Sequence, residues 1–391
     1  MGLHLRLLVN TASIFKGGGV QVAASFLREC CAFADDEFVV ILGPGLASVV
    51  QPDEFPKNFE FSSIGYRPAE RVFSLRGAGR DLKQLESAFQ PDVVFTTSGP
   101  SYWRPRAPHL MGFNLPHHLY PDSPYFSQVL GPLDRLRWRA KSMLIRHYTR
   151  GFADAWVVQT DDVNQRLRRW IGSDQVYTVP NTISSAYLRP AGEGVSVPQA
   201  PTAGAQAGFR LLVLSSYYRH KNLEILNGII ALLRERGIDD LRFTMTLPAK
   251  DFERAIALEN RGFVDNLGPQ RPEDCPPLYQ ASDALFLPTL LECFSANYVE
   301  AMAMGRPIVT TDLGFAHTTC SDAALYFEPL NAEQALGKIL ELRGDSALRE
   351  GLVARGKQEL VRFGTARGRA EAYLSLCLKL AERKAPLTEG R

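Results

Sequence analysis

The stretch Ala284-Leu-Phe-Leu-Pro288, Thr289-Leu-Leu-Glu292-Cys-Phe-Ser295, Ala296-Asn-Tyr-Val-Glu300-Ala-Met-Ala-Met304, Gly305-Arg-Pro307, Ile308-Val-Thr310 decides the fold. Its first five residues form an apolar run of strand length, and a loop of seven follows. A helix is expected from about Ala296 to Met304, ended by Gly305 and Pro307, and a second buried strand covers 308–310. Apolar strands separated by one short helix make a βαβ unit with parallel strands. In such sheets ligands lie beyond the carboxyl ends of the strands, where a loop feeds a helix. That loop carries Glu292, and the helix carries Glu300 a little over one turn in. Unpaired N–H groups and the positive dipole end at Phe294, Ser295 and Ala296 suit a phosphate. Two carboxylates would repel the phosphate itself. They suit hydroxyl groups on either side of it, as in a ribose and a hexose joined by a diphosphate.

The bulk numbers frame this reading. A chain of 391 residues exceeds one ordinary core, so two α/β domains are expected. A formal net charge of +2 with 22% charged residues gives no support for general nucleic-acid binding. The six cysteines show no C-x2-C or Cys/His ligand spacing, and no signal-peptide pattern opens the chain, so reduced thiols in a cytoplasmic protein are expected. No apolar run approaches membrane-spanning length.

From the amino terminus, Leu5–Val9 reads as a strand, followed by Gly17-Gly18-Gly19 and a helix from about Val20 with Val20, Ala23, Ala24, Leu27 and Cys31 on one face. A strand, glycine loop and helix let bare backbone approach an oxygen-rich ligand, although a glycine triplet is also an ordinary flexible turn. G-x-G-x-x-G and Gly-Lys-Ser motifs are absent. Further strands are expected at 38–42, 93–96, 110–113, 155–158 and 176–179, and then at 211–214, 243–247 and 264–268. Residues 190–208 are Ala, Gly, Pro and Gln with hardly a bulky side chain, which reads as a linker or insertion. Lys221, just before a helix and after a strand, is placed to meet a diphosphate as a point charge. The segment from Arg135 to Arg150 carries six cations among apolar residues. It reads either as a domain helix with a solvated face or as a basic amphipathic helix on anionic lipid.

Glu292-Cys-Phe-Ser-Ala-Asn-Tyr-Val-Glu300, with the Gly-Arg-Pro stop, resembles the E-x7-E signature of retaining GT-B glycosyltransferases of group 1. The likeness continues through Lys221-Asn222, the Leu267-Gly268 loop, the 278–283 helix and Pro180-Asn181-Thr182, and weakly through Gly18-Gly19. It implies two Rossmann-like, doubly wound domains facing across a cleft. The expected bounds are an acceptor-side domain at 1–187, a linker at 188–208, a nucleotide-sugar domain at 209–364, and a helix at 365–391 crossing back with a loose tail.

The resemblance also implies roles. Glu292, His117 and Lys221 would be catalytic, with His117 preferred to His118. Gly18, Gly19, Arg219, Lys221, Leu267, Phe294, Ser295, Ala296 and Glu300 would bind the donor. Ser216 stands where the family usually has an arginine, and Arg219 is the candidate replacement. No metal or other cofactor is expected. The implied reaction moves a hexose from a nucleotide-diphosphate sugar to a saccharide or lipid-linked saccharide, in bacterial surface polysaccharide (lipopolysaccharide) synthesis. Its setting would be the cytoplasm, or, with peripheral membrane contact, the inner face of the cell membrane if 135–150 is the lipid-facing helix of the two readings above. A sugar-nucleotide 2-epimerase of the same fold and a non-catalytic sugar-nucleotide-binding subunit are the alternatives.

Overall fold

The computed structural model describes residues 4–15, 17–71, 79–187 and 208–384. The residues group into two units, one of 1–119, 133–181 and 365–391, the other of 120–132 and 182–364. Of the expected linker at 188–208 all but the last residue lies outside the described residues, as does the loose tail at 385–391.

The first unit holds seven strands: β1 (Arg6–Asn10), β2 (Glu37–Leu42), β3 (Phe59–Ser63), β4 (Val93–Thr96), β5 (His109–Gly112), β6 (Ala155–Val158) and β7 (Val176–Thr178). They form one sheet in the order β3-β2-β1-β4-β5-β6-β7, and every pairing is parallel. The central strands β1, β2 and β4 are short runs rich in Val, Leu, Ile and Phe because both of their faces are buried, leaving little room for polar residues. Their two-residue period is explicit. Leu7, Val9, Val93 and Phe95 enter one core, while Leu8 and Val94 enter the core on the other face with Leu82 and Trp103.

The first of these cores is closed by two helices far apart in sequence, Gly18–Cys30 and Ala366–Lys384. Phe26 meets Phe95 edge-on at 5.3 Å, and Tyr373 of the last helix packs on both rings. Ala370, Tyr373, Leu374 and Cys377 recur at helical spacing and are buried there. Arg369 fastens the same helix by donating to the Ser25 hydroxyl at 3.0 Å.

The second unit holds β8 (Phe209–Val213), β9 (Leu241–Met245), β10 (Val264–Asn266), β11 (Ala284–Leu287), β12 (Ile308–Thr311) and β13 (Ala324–Phe327). Their order is β10-β9-β8-β11-β12-β13, again wholly parallel. The helix Ile225–Glu235 buries Leu226, Ile229, Ile230 and Leu233 against this sheet, beside the helix Ala332–Gly344.

Three details depart from the reading of the sequence. Strand β3 was not foreseen: it lies at the sheet edge, where its residues are only partly covered, so its apolar signal is weak. Residues 120–132, placed by sequence in the first domain, group with the second unit. Tyr120 there packs edge-on against Phe315 and Tyr125 against His220, while the Ser123 hydroxyl donates to Leu290 O at 2.8 Å. The helix expected near Val20 begins at Gly18, with Gly17 as its cap at φ 78°, so the positive φ falls on Gly17.

Candidate functional site

Both sheets reverse their winding at one point, between β1 and β4 in the first and between β8 and β11 in the second. At such a point the loops leaving two adjacent strands turn to opposite faces and leave a crevice beyond the strand ends. In the second unit the loop after β8 carries Lys221, and the loop after β11 carries Glu292. Their side chains meet as an ion pair, Lys221 Nζ on Glu292 Oε1. They stand only 18% and 12% exposed. A pair this sheltered is screened little, and removing either member leaves the other charge without compensation.

The backbone that carries the pair is firmly held. The turn Arg219–Lys221 ends on Asn222 in the left-handed region, φ 54°, which asparagine tolerates better than most residues. Leu290 N donates to His220 O at 2.7 Å, tying the two loops together directly. The Thr311 hydroxyl donates to Thr289 O at 2.6 Å, and Leu290 and Leu291 are fully buried. A charged pair on loops fixed by neighbouring strands loses little entropy when it engages a ligand.

Four residues beyond Glu292, the helix Ala296–Ala303 begins. Its cap Ser295 is extended, and the Ser295 side chain makes no capping bond. The first-turn N–H groups therefore keep their affinity for an anion. Phe294 is anchored edge-on against Phe363 at 5.9 Å. The Asn297 amide donates to Leu214 O, which joins the start of this helix to the end of β8.

Glu300 has a different environment. Its Oε2 accepts from the Tyr279 hydroxyl at 2.8 Å, and Tyr187 stands close enough to favour the charged carboxylate as well. Burial pushes its carboxyl above the usual glutamate range, and the two tyrosines pull it partly back. Tyr187 and Tyr279 themselves pack at 5.8 Å. Neither tyrosine was assigned a role from sequence. Tyr279 lies 21 residues before Glu300, and nothing local marks it as a partner.

Leu267 lies in a loop whose backbone is already engaged. Its N–H donates to Met245 O at 2.9 Å, and the Gln270 amide donates to its carbonyl at 3.1 Å. Arg219 donates to Val129 O at 2.8 Å, so its guanidinium leans on segment 120–132.

His117, Gly18 and Gly19 belong to the first unit. Gly18 has open space where a Cβ would lie, and at Gly19 the nearest atom is the Asn114 amide nitrogen at 3.9 Å. His117 stacks on Trp138, with ring centres 4.6 Å apart and planes 10° apart. Its pKa is lowered to about 4, first by burial and then by the nearby Lys141 charge. His118, stacked on Trp170, falls to about 4 for the same reasons, with His117 adding a little. His109 is fully buried and also falls to about 4. Its Nδ1 donates to Phe152 O at 2.5 Å, so its Nε2 accepts from the Thr96 hydroxyl at 2.7 Å.

Three histidines neutral in the fold and protonated once unfolded have a definite consequence. The unfolded chain binds more protons between pH 6.5 and about 4, so stability is full above pH 6.5 and is lost as pH falls toward 4. Melting temperatures measured across that window are expected to fall steadily. A flat profile would contradict the neutral assignment.

The model of the family "Glycosyl transferases group 1" matches residues 208–345, the segment holding Lys221, Glu292 and Glu300. The O-antigen chain mannosyltransferase B of Escherichia coli is 25% identical over 272 residues, which are 65% of this chain and 70% of that protein. A D-inositol 3-phosphate glycosyltransferase of Salinispora tropica is 32% identical over 120 residues, 29% of this chain and 24% of that protein. Among solved structures, sucrose-phosphate synthase of Thermosynechococcus elongatus superposes with a TM-score of 0.74 at 16% identity, covering 97% of this chain and 100% of its own. HepE of Anabaena, solved in complex with UDP and glucose, gives 0.67 at 13% identity, covering 96% and 100%. At such identities the two structures speak for the fold.

Proposed function

Because the chain belongs to the group 1 glycosyltransferases, retaining hexosyltransferases of the GT-B fold, we propose that it moves a hexose from a nucleotide-diphosphate sugar to a hydroxyl of a saccharide or lipid-linked saccharide, in the making of a bacterial surface polysaccharide. One observation carries the donor site: the Lys221–Glu292 pair at the reversal of the second sheet, with Glu292 four residues ahead of an uncapped helix start. The surface-polysaccharide setting is supported by the Escherichia coli relative, whose name is that of an O-antigen mannosyltransferase. A uridine nucleotide is supported by the complex in which HepE was solved.

In this reading the diphosphate lies against the first turn at Ser295 and Ala296, with Lys221 as its counter-charge. As the sugar–oxygen bond breaks, charge builds on that diphosphate, and fixed donors there are worth most. Glu292 holds sugar hydroxyls and favours the positive charge developing on the sugar. Glu300, oriented by Tyr279, takes the ribose diol, and the Leu267 loop meets the base. Arg219, three residues after Ser216, lends a second positive charge. His117, neutral and steadied by Trp138, holds a donor-sugar hydroxyl without taking its proton, while Gly18 and Gly19 leave room for the diphosphate and the acceptor. The leaving phosphate accepts the acceptor's proton, so no separate protein base is required.

A thermal-shift screen of UDP-, GDP-, ADP- and TDP-sugars tests the reading. Binding to the folded state alone raises stability by about 2.7 kcal/mol at a hundred times Kd. One nucleotide class is expected to raise the melting temperature and then to be hydrolysed slowly without acceptor. If no sugar nucleotide shifts the transition, the donor-site assignment fails.

A further inference from the structure

The helix Pro132–Gly151 presents two apolar faces, and only one is used by the fold. Ile145 and Thr149 are buried, and Trp138 stacks on His117. On the opposite side Leu133, Leu136, Met143 and Leu144 are 73%, 63%, 70% and 37% exposed. With Ala140 they recur at intervals of three and four, one stripe along the helix. At about 100° per residue, Ala140 lies about 180° from the buried Thr149. Large aliphatic residues aligned on a solvent face are not explained by packing within the unit.

The flanks of the stripe are cationic. By the same geometry Arg139, Arg146 and Arg150 lie along one side, and Arg137 and Lys141 along the other. The helix has a single acid, Asp134 at its start. We infer that this face of the helix lies on an anionic lipid surface, with Leu133, Leu136, Met143 and Leu144 entering the acyl boundary and the flanking cations meeting lipid phosphates. A stripe of aliphatic side chains between two rows of long cationic ones complements the layered chemistry of a headgroup region. A partner protein surface would need a matching acidic rim around an apolar groove, whereas an anionic bilayer supplies both everywhere. The inference stands apart from the donor site, and its test contains no donor.

The full chain is sedimented with vesicles of phosphatidylcholine alone and of phosphatidylcholine with phosphatidylglycerol, at low and high salt. Binding to the anionic vesicles is expected to be about tenfold or more tighter than to the neutral ones, and to weaken at high salt. The double variant Leu136→Glu, Met143→Glu is expected to lose vesicle binding while keeping the parental melting temperature, because neither side chain is buried. Arg139→Gln with Arg146→Gln is expected to weaken binding to anionic vesicles only. The inference is overturned by equal binding to both vesicle types, by a Glu double variant that still sediments, or by a concentration-dependent dimer that the Glu variant dissociates in a chain without vesicle affinity.

Discussion

Glu292→Ala is expected to lower kcat by about 10- to 150-fold while leaving donor affinity within about threefold. The range corresponds to about 1.5–3 kcal/mol for a hydrogen bond to a charged group. The split between turnover and binding follows from when each charge matters. In the ground state the sugar is neutral and gains little from an anion, and Glu292 is occupied with Lys221. In the transition state the ring becomes positive, and an anion fixed on a buried loop favours that state selectively. Removing the carboxylate also releases Lys221, whose charge then serves the donor diphosphate alone, so ground-state binding is preserved. Glu292→Gln separates charge from shape. If electrostatics dominate, it is as slow as the alanine variant; if only hydroxyl positioning matters, it recovers most of the rate. Steady-state kinetics with calorimetric donor binding decide the matter, and parental turnover in both variants would remove Glu292 from the mechanism.

Glu300→Gln is expected to do the reverse, weakening donor binding by about 10- to 150-fold with kcat at saturation little changed. A carboxylate accepts both hydroxyls of a diol, whereas a carboxamide offers one acceptor and a misplaced donor. The same variant carries an independent stability signature. The folded-state pKa of Glu300 is raised, chiefly by burial. The proton is therefore held more tightly in the fold than in the unfolded chain. Stability from this group is full below the ordinary glutamate value of 4.5 and is lost as pH rises through the elevated one. A neutral isostere escapes that loss, so Glu300→Gln is expected to melt higher than the parent around pH 7 and level with it around pH 4. A variant that binds its donor poorly while being more stable cannot be dismissed as misfolded. Unchanged donor affinity would show that the ribose is held elsewhere.

The positions of these residues in the fold were legible to different depths. The loop and helix around Glu292 and Glu300 could be read locally, because apolar runs, a Gly-x-Pro stop and a loop-to-helix junction are short-range patterns with a fixed period. The same holds for Lys221, ahead of a helix with clear apolar spacing. The partner of each residue was not legible. Lys221 and Glu292 are 71 residues apart, and they meet because β8 lies beside β11 while β9 and β10 are wound to the other side. Strand order in a parallel sheet leaves no periodic trace in the chain.

The sequence by itself therefore determined the two α/β halves, the parallel strands and the residue types that suit a sugar diphosphate. Local spacing and burial preference suffice for those. Only the tertiary structure decided which side chains meet and which stay exposed: Tyr279 on Glu300, the attachment of residues 120–132 to the second unit through Tyr120, Ser123 and Tyr125, and the solvent-facing stripe on Pro132–Gly151. The physical reason is common to all three. Burial and contact are properties of the packed whole, and the same apolar residue reads alike in a helix whether the fold covers it or leaves it to meet something else.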